Sequence, residues 1–171
     1  MLPRRAIILN ADVSTVRRIV FGQNPRRTTV RIAVLAVVCI VTFGWVLLPV
    51  RADGDSMLPT YASGKLTLVN RLSYVRSSPQ RGDIVAIRLA GPRVVYIKRI
   101  IGLPGERLSV EEGQVRIDGS PLVEPYVRHQ GPWSVDEVTL GAHEYFVVGD
   151  NRGTSVFGRV EAERILGRLV F

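Results

Sequence analysis

Nineteen consecutive residues, Ile32 to Val50, carry no charge, and this run constrains the fold more than any other feature of the chain. As a helix it would be about 28 Å long, close to the hydrocarbon thickness of a bilayer. It shows no polar face, so a small domain has no means of covering it on all sides. Trp45 lies near its far end, at headgroup level, and Pro49 marks an exit. The run exceeds the roughly 7–15-residue apolar core of a cleaved secretory signal, and no small-x-small site follows it cleanly. A transmembrane anchor is expected at 32–50, between a basic segment at 1–31 and a single domain at 51–171.

The distribution of charge agrees with that division. The chain has a formal net charge of +8, which by itself raises the question of nucleic acid. Residues 1–31, however, hold seven arginines and one acid, whereas 52–171 hold 15 basic and 14 acidic side chains. The excess sits ahead of the apolar run, as the positive-inside rule requires. This predicts a cytoplasmic N-terminus, contact of the basic tail with anionic lipid, an extracytoplasmic domain and no nucleic-acid partner. The single cysteine, Cys39, lies within the run, which excludes a disulfide framework and a cysteine metal site within one chain.

Beyond the run the pattern changes to period two with short turns. Strands are expected at 65–70, 83–88, 93–101, 107–110, 114–117, 144–148 and 165–171, separated by Gly, Pro, Asp and Asn. Glu111-Glu112-Gly113 and Asp118-Gly119-Ser120-Pro121 read as turns, and one helical turn is expected at 161–164. The fold class is mainly β: one N-terminal transmembrane helix followed by a compact all-β domain.

Only two of the 171 residues are lysines, and one of them, Lys98, sits in the apolar strand pattern of Val94–Ile101. Burial lowers the pKa of a lysine, and a neutral amine can act as a base. Six residues past the apolar run stands Ser56, in Gly54-Asp55-Ser56-Met57-Leu58-Pro59-Thr60. A serine hydroxyl needs a base before it can act as a nucleophile, and Ser-Lys pairs are one solution. The strand pattern alone equally admits a surface Lys98 beside Arg99. The two histidines, His129 and His143, lie in turn-like segments without an evident partner, and two isolated histidines make a poor zinc site.

Four segments occur in order behind the span: Gly54–Thr60, Arg81-Gly82-Asp83-Ile84-Val85, Ile97–Glu106 and Val148-Gly149-Asp150-Asn151-Arg152. Together they resemble the motif set of bacterial type I signal (leader) peptidases. Val115–Leu122, Glu124-Pro125-Tyr126-Val127 and Phe157-Gly158-Arg159-Val160 extend the likeness, which covers about residues 46–171. The resemblance implies a signal-peptidase-like catalytic domain with Ser56 as nucleophile and Lys98 as general base. It implies that the Ser56 N–H helps form the oxyanion hole and that Met57 and Ile97 line shallow pockets for small side chains. It makes Asp150 a structural partner of Arg99, although a simple turn role for Asp150 stands beside that reading. Where some members of the family carry a hydroxyl two residues before the nucleophile, this chain has Gly54.

The last motif departs from the family. Gly149-Asp150-Asn151-Arg152 passes through Gly153-Thr154-Ser155 directly to Val156-Phe157-Gly158, so that an Asp-Ser-Arg is missing. The serine that orients the lysine is then Ser155, with Thr154 as the alternative. The expected partners are preprotein signal peptides with Ala-x-Ala sites and the lipid bilayer, with no metal or cofactor. The expected location is the inner (plasma) membrane. A dedicated conjugation- or pilin-processing peptidase and an inactive membrane-anchored binding module are the alternatives.

Overall fold

A computed structural model describes residues 24–90, 94–128 and 130–170. Helix α1 spans Pro25–Val41 and continues as a π-helical turn over Thr42–Val46. Proline at its start lacks only an N–H that no helix would pair. Arg26–Val46 is long and apolar enough to cross a membrane, with a mean hydropathy of 2.2 and nothing buried.

The end of this helix corrects the expected span of 32–50. Leu47–Val50 is not helix but belongs to a strand, β1 (Leu47–Arg51). Pro49 is the reason: it has no N–H for a helical bond, and it disfavours helix at the residue before it. β1 is an edge strand of its sheet, where a proline is tolerated. The compact β unit accordingly begins at Phe43 rather than at residue 51.

Ten more strands follow among the described residues: β2 (Leu66–Asn70), β3 (Ile84–Ala90), β4 (Val94–Gly102), β5 (Arg107–Glu111), β6 (Gln114–Ile117), β7 (Ser120–Pro121), β8 (Val135–Thr139), β9 (Glu144–Val148), β10 (Gly158–Glu161) and β11 (Ile165–Val170). A 3-10 turn at Ala162–Arg164 occupies the expected helical position. One sheet has the order β1-β2-β11-β3-β4-β9-β10 and the other β7-β6-β5-β8. Two-residue turns close the hairpins of the smaller sheet. Glu112-Gly113 joins β5 to β6 and Asp118-Gly119 joins β6 to β7. All four residues have positive φ, as a turn matched to strand twist requires.

Alternation along the strands sorts side chains onto two faces of the large sheet. Ile84 and Ala86 pack with Met57, Tyr61, Val69 and Leu169. Val85 and Ile87 pack on the other face with Ile100, Tyr145, Val147 and Val160. A third cluster, including Ile101, Leu108, Val115 and Phe146, joins residues of both sheets. β4 lies inside the large sheet between β3 and β9, with Lys98 opposite Val85 and Arg99 opposite Ile84 and Val148. It is a rigid base on which to mount two adjacent side chains.

Candidate active site

Ser56 sits in the turn that follows β1. The base of that turn is tied by Ala52 N–H to the Lys65 carbonyl at 3.0 Å and by Gly64 N–H to the Ala52 carbonyl at 2.7 Å. Gly54 has φ +87°, a backbone setting that favours glycine. No atom lies within 4 Å of where its Cβ would be, so the angle and not crowding selects glycine there. The Gly54 N–H donates to Ser63 Oγ at 3.0 Å. Leu58 N–H donates to the Asp55 carbonyl and Tyr61 N–H to the Met57 carbonyl, which closes the turn around the serine.

Lys98 is 4% exposed. Burial pushes its amine down from 10.5 to about 8. Its Nζ donates to Ser155 Oγ at 3.1 Å. Ser155 Oγ also accepts from Gly149 N–H at 2.6 Å and donates to the Val156 carbonyl at 3.0 Å. A hydroxyl has one proton and two lone pairs, so this one is fully committed. It can only accept from Lys98, which leaves the lone pair of a neutral amine unengaged. Thr154 is exposed, and the Lys98 bond goes to its neighbour.

No hydrogen bond joins Ser56 to Lys98 among the described residues; the backbone brings their surroundings together. A Cβ on Gly149 would lie 2.1 Å from the Ser56 carbonyl oxygen and 2.5 Å from Ser155 Oγ. Only glycine lets the loop bearing the lysine's partner approach the serine this closely. Asn151 N–H donates to the Ser56 carbonyl at 3.0 Å, and Asn151 Nδ2 to the Asp55 carbonyl at 3.1 Å.

Buried ions surround this junction. Asp150 is 0% exposed and accepts from Arg99 Nε at 2.8 Å and Nη2 at 2.7 Å. Thr60 Oγ1 donates to the same carboxylate, and Arg99 Nη1 donates to the Gly82 carbonyl at 2.7 Å. The Arg99 guanidinium lies 3.9 Å from the centre of the Tyr126 ring. Arg152, also buried, forms two bonds to Glu124 and one to the Gly149 carbonyl. Sequence reasoning placed Thr60 in the turn after the nucleophile and assigned no role to Glu124, Tyr126 or Arg152. The segment Glu124-Pro125-Tyr126 carried only a textual likeness, and its partner Arg152 is 28 positions away.

A cleft of about 200 Å³ adjoins the serine, lined by Gly54, Ser56, Met57, Tyr61, Val95 and Ile97 among others. Met57 and Ile97 therefore meet at one cavity. A larger cleft of about 770 Å³, lined by Tyr74, Leu103, His143 and Tyr145 among others, includes neither Ser56 nor Lys98. The chemistry and not the volume marks the site. His143 lies at that other cleft, and His129 falls outside the described residues. Among the described residues, no group of three or more His, Cys, Asp or Glu side chains is placed to hold a metal ion.

Residues 26–171 match the family model of signal peptidase, peptidase S26. A signal peptidase I of Leptolyngbya laminosa is 36% identical over 128 residues, covering 68% of this chain and 63% of that relative. A signal peptidase I of Bacillus caldolyticus is 35% identical over 137 residues, covering 70% of this chain and 75% of the relative. A crystal structure of a signal peptidase I from Enterococcus faecalis covers 55% of this chain and 98% of its own, at 28% identity and a TM-score of 0.45. The chain spans under two thirds of the first of these relatives and three quarters of the second. With the family model matched from the apolar helix to the last residue, this chain belongs to the signal peptidase family, peptidase S26, a family of serine endopeptidases.

Proposed function

We propose that this chain removes N-terminal signal peptides from preproteins at small-x-small (Ala-x-Ala) sites, with Ser56 as nucleophile and neutral Lys98 as general base. One observation carries the reading. Lys98 is buried with a hydroxyl for its partner instead of a carboxylate, on a loop fitted against the backbone of Ser56. A lysine placed this way gives up its proton near pH 8, far more readily than a free one, which a base requires.

In the proposed reaction the substrate binds extended, and its small side chains enter the cleft at Met57 and Ile97. Ser56 Oγ attacks the scissile carbonyl while Lys98 Nζ takes the hydroxyl proton. The Ser56 N–H has no partner among the described residues and donates to the oxyanion, a contact of a kind that contributes about 3–4 kcal/mol. The Lys98 ammonium then returns its proton to the departing amine. A water molecule, deprotonated by the same amine, hydrolyses the acyl-serine. Substrate binding draws the two side chains into contact, as often happens when a catalytic hydrogen bond is loose in the free enzyme. Ser155 directs the amine throughout and exchanges no proton with it.

The apolar helix at Arg26–Val46 is the anchor in this reading, with the arginine-rich N-terminus cytoplasmic and the β domain on the outer face of the plasma membrane. The partners are preprotein signal peptides and the lipid bilayer. The test is cleavage of an Ala-x-Ala preprotein by the detergent-solubilised full chain. Wild type should cut at that site, and Ser56→Ala and Lys98→Ala should each lose at least about 10³-fold in rate while remaining folded. A folded wild type that leaves this substrate intact overturns general processing. Activity surviving in Lys98→Ala overturns the pair.

A further inference from the structure

Glu124 takes no part in the reaction above, yet its side chain is only 4% exposed. It accepts from Arg152 Nη1 at 3.0 Å and Nη2 at 2.6 Å, and from the Tyr126 hydroxyl at 2.8 Å. Both arms lead to one dipeptide. Along the first, Arg152 Nε donates to the Gly149 carbonyl at 3.0 Å. Along the second, the Tyr126 ring lies against Arg99, which grips the Asp150 carboxylate with two bonds. Gly149 and Asp150 are thus held from both sides by a ring of side chains that closes at Glu124. From this dipeptide the Gly149 N–H reaches Ser155 Oγ, which accepts from Lys98.

A buried ion pair is often no more stabilising than apolar residues of the same volume, so stability alone is a weak reason for the ring. Fixed geometry is a better one. We propose that Glu124 is a positioning residue for the Lys98 amine, acting through Arg152 and Gly149 on Ser155. The inference rests on the Ser-Lys reading.

The test uses the full chain in detergent and the paired variant Glu124→Leu/Arg152→Met, which removes both charges together. Kinetics on an Ala-x-Ala peptide are measured beside thermal unfolding. The chain is also labelled with [ε-13C]lysine, whose two residues give two signals, so that Lys98 can be titrated directly. The paired variant should keep its Tm within about 5 °C and its KM within about twofold, while kcat falls about 10–100-fold, the cost of a small misplacement of a reacting group. The Lys98 midpoint should rise from about 8 as the amine leaves Ser155 for water. A folded paired variant with wild-type kcat and midpoint overturns the proposal. If the pair does not fold, Glu124→Gln keeps the shape of the side chain and gives up one of the two oxygens that hold Arg152. It should lower kcat several-fold at constant KM, and an unchanged kcat and midpoint overturns the proposal equally. A wild type that does not cut the peptide, but whose Lys98 midpoint rises in the paired variant, would sink the Ser-Lys reading and leave the positioning role standing.

Discussion

β4 carries a buried lysine and a largely buried arginine side by side, and its two faces treat them oppositely. Burial works against the charge of Arg99, but the Asp150 carboxylate, with Tyr126 and Glu124 adding to it, outweighs burial, and the net effect raises the pKa of the guanidinium. Among the described residues Lys98 hydrogen-bonds only to the Ser155 hydroxyl, and burial pushes it down to about 8. The lesson concerns partners more than depth. A carboxylate turns a buried cation into a permanent strut; a hydroxyl leaves it able to give up its proton. Consecutive residues of one strand thus yield a fixed charge and a switchable one.

Removing each cation in turn should break this comparison if it is wrong. Arg99→Met leaves the fully buried Asp150 carboxylate without its partner, and a loss of about 3–5 kcal/mol is expected in denaturant unfolding. Lys98→Met should act in the opposite direction. The amine's pKa is lowered in the folded state from 10.5 to about 8, so the folded state binds the proton less well than the unfolded chain. The resulting penalty is full below about pH 8 and fades as pH rises to the unfolded value. Methionine should therefore stabilise by up to about 3 kcal/mol at pH 7 and by nothing near pH 11. Two losses of similar size and pH dependence would erase the distinction.

The next effect concerns the junction between the two loops. Gly149→Ala places a methyl group 2.1 Å from the Ser56 carbonyl, so one loop must retreat. A kcat loss of about 10²-fold at nearly constant KM is expected, and wild-type turnover would show that the close approach is dispensable. The smallest effect is a pH dependence. With Lys98 near 8, kcat/KM should rise about tenfold between pH 7 and pH 9 along a single ionisation. A flat profile over that interval would mean that the amine is not the titrating base.

Much of the architecture could be read from the residues. The strands at 66–70, 84–90 and 94–102 follow alternation that two-sided packing imposes, and the turns at Glu112-Gly113 and Asp118-Gly119 carry the residue types that positive φ demands. The switch from helix to β1 was hidden because Leu47–Val50 continues the apolar run, and hydropathy alone does not separate a membrane span from a strand. β8 and β10 are short and carry charges outward, which weakens their pattern. At the site, the residue types and spacing of Ser56 and Lys98 were visible, as was the choice between Ser155 and Thr154. The ring through Glu124 and the exclusion of any side chain at Gly149 are long-range facts. They depend on which loops meet, and no local pattern encodes that.

The edge strand β1 has a mechanical consequence. The carbonyl of Val46, where the apolar helix ends, is held by the Arg71 N–H, and every residue from Leu47 to Arg51 is paired with β2. Ala52 is tied on both sides as well, so that only Asp53, Gly54 and Asp55 separate this bound stretch from Ser56. There is no slack in such a mount. The position of Ser56 is therefore set by the edge of its own sheet, three residues away.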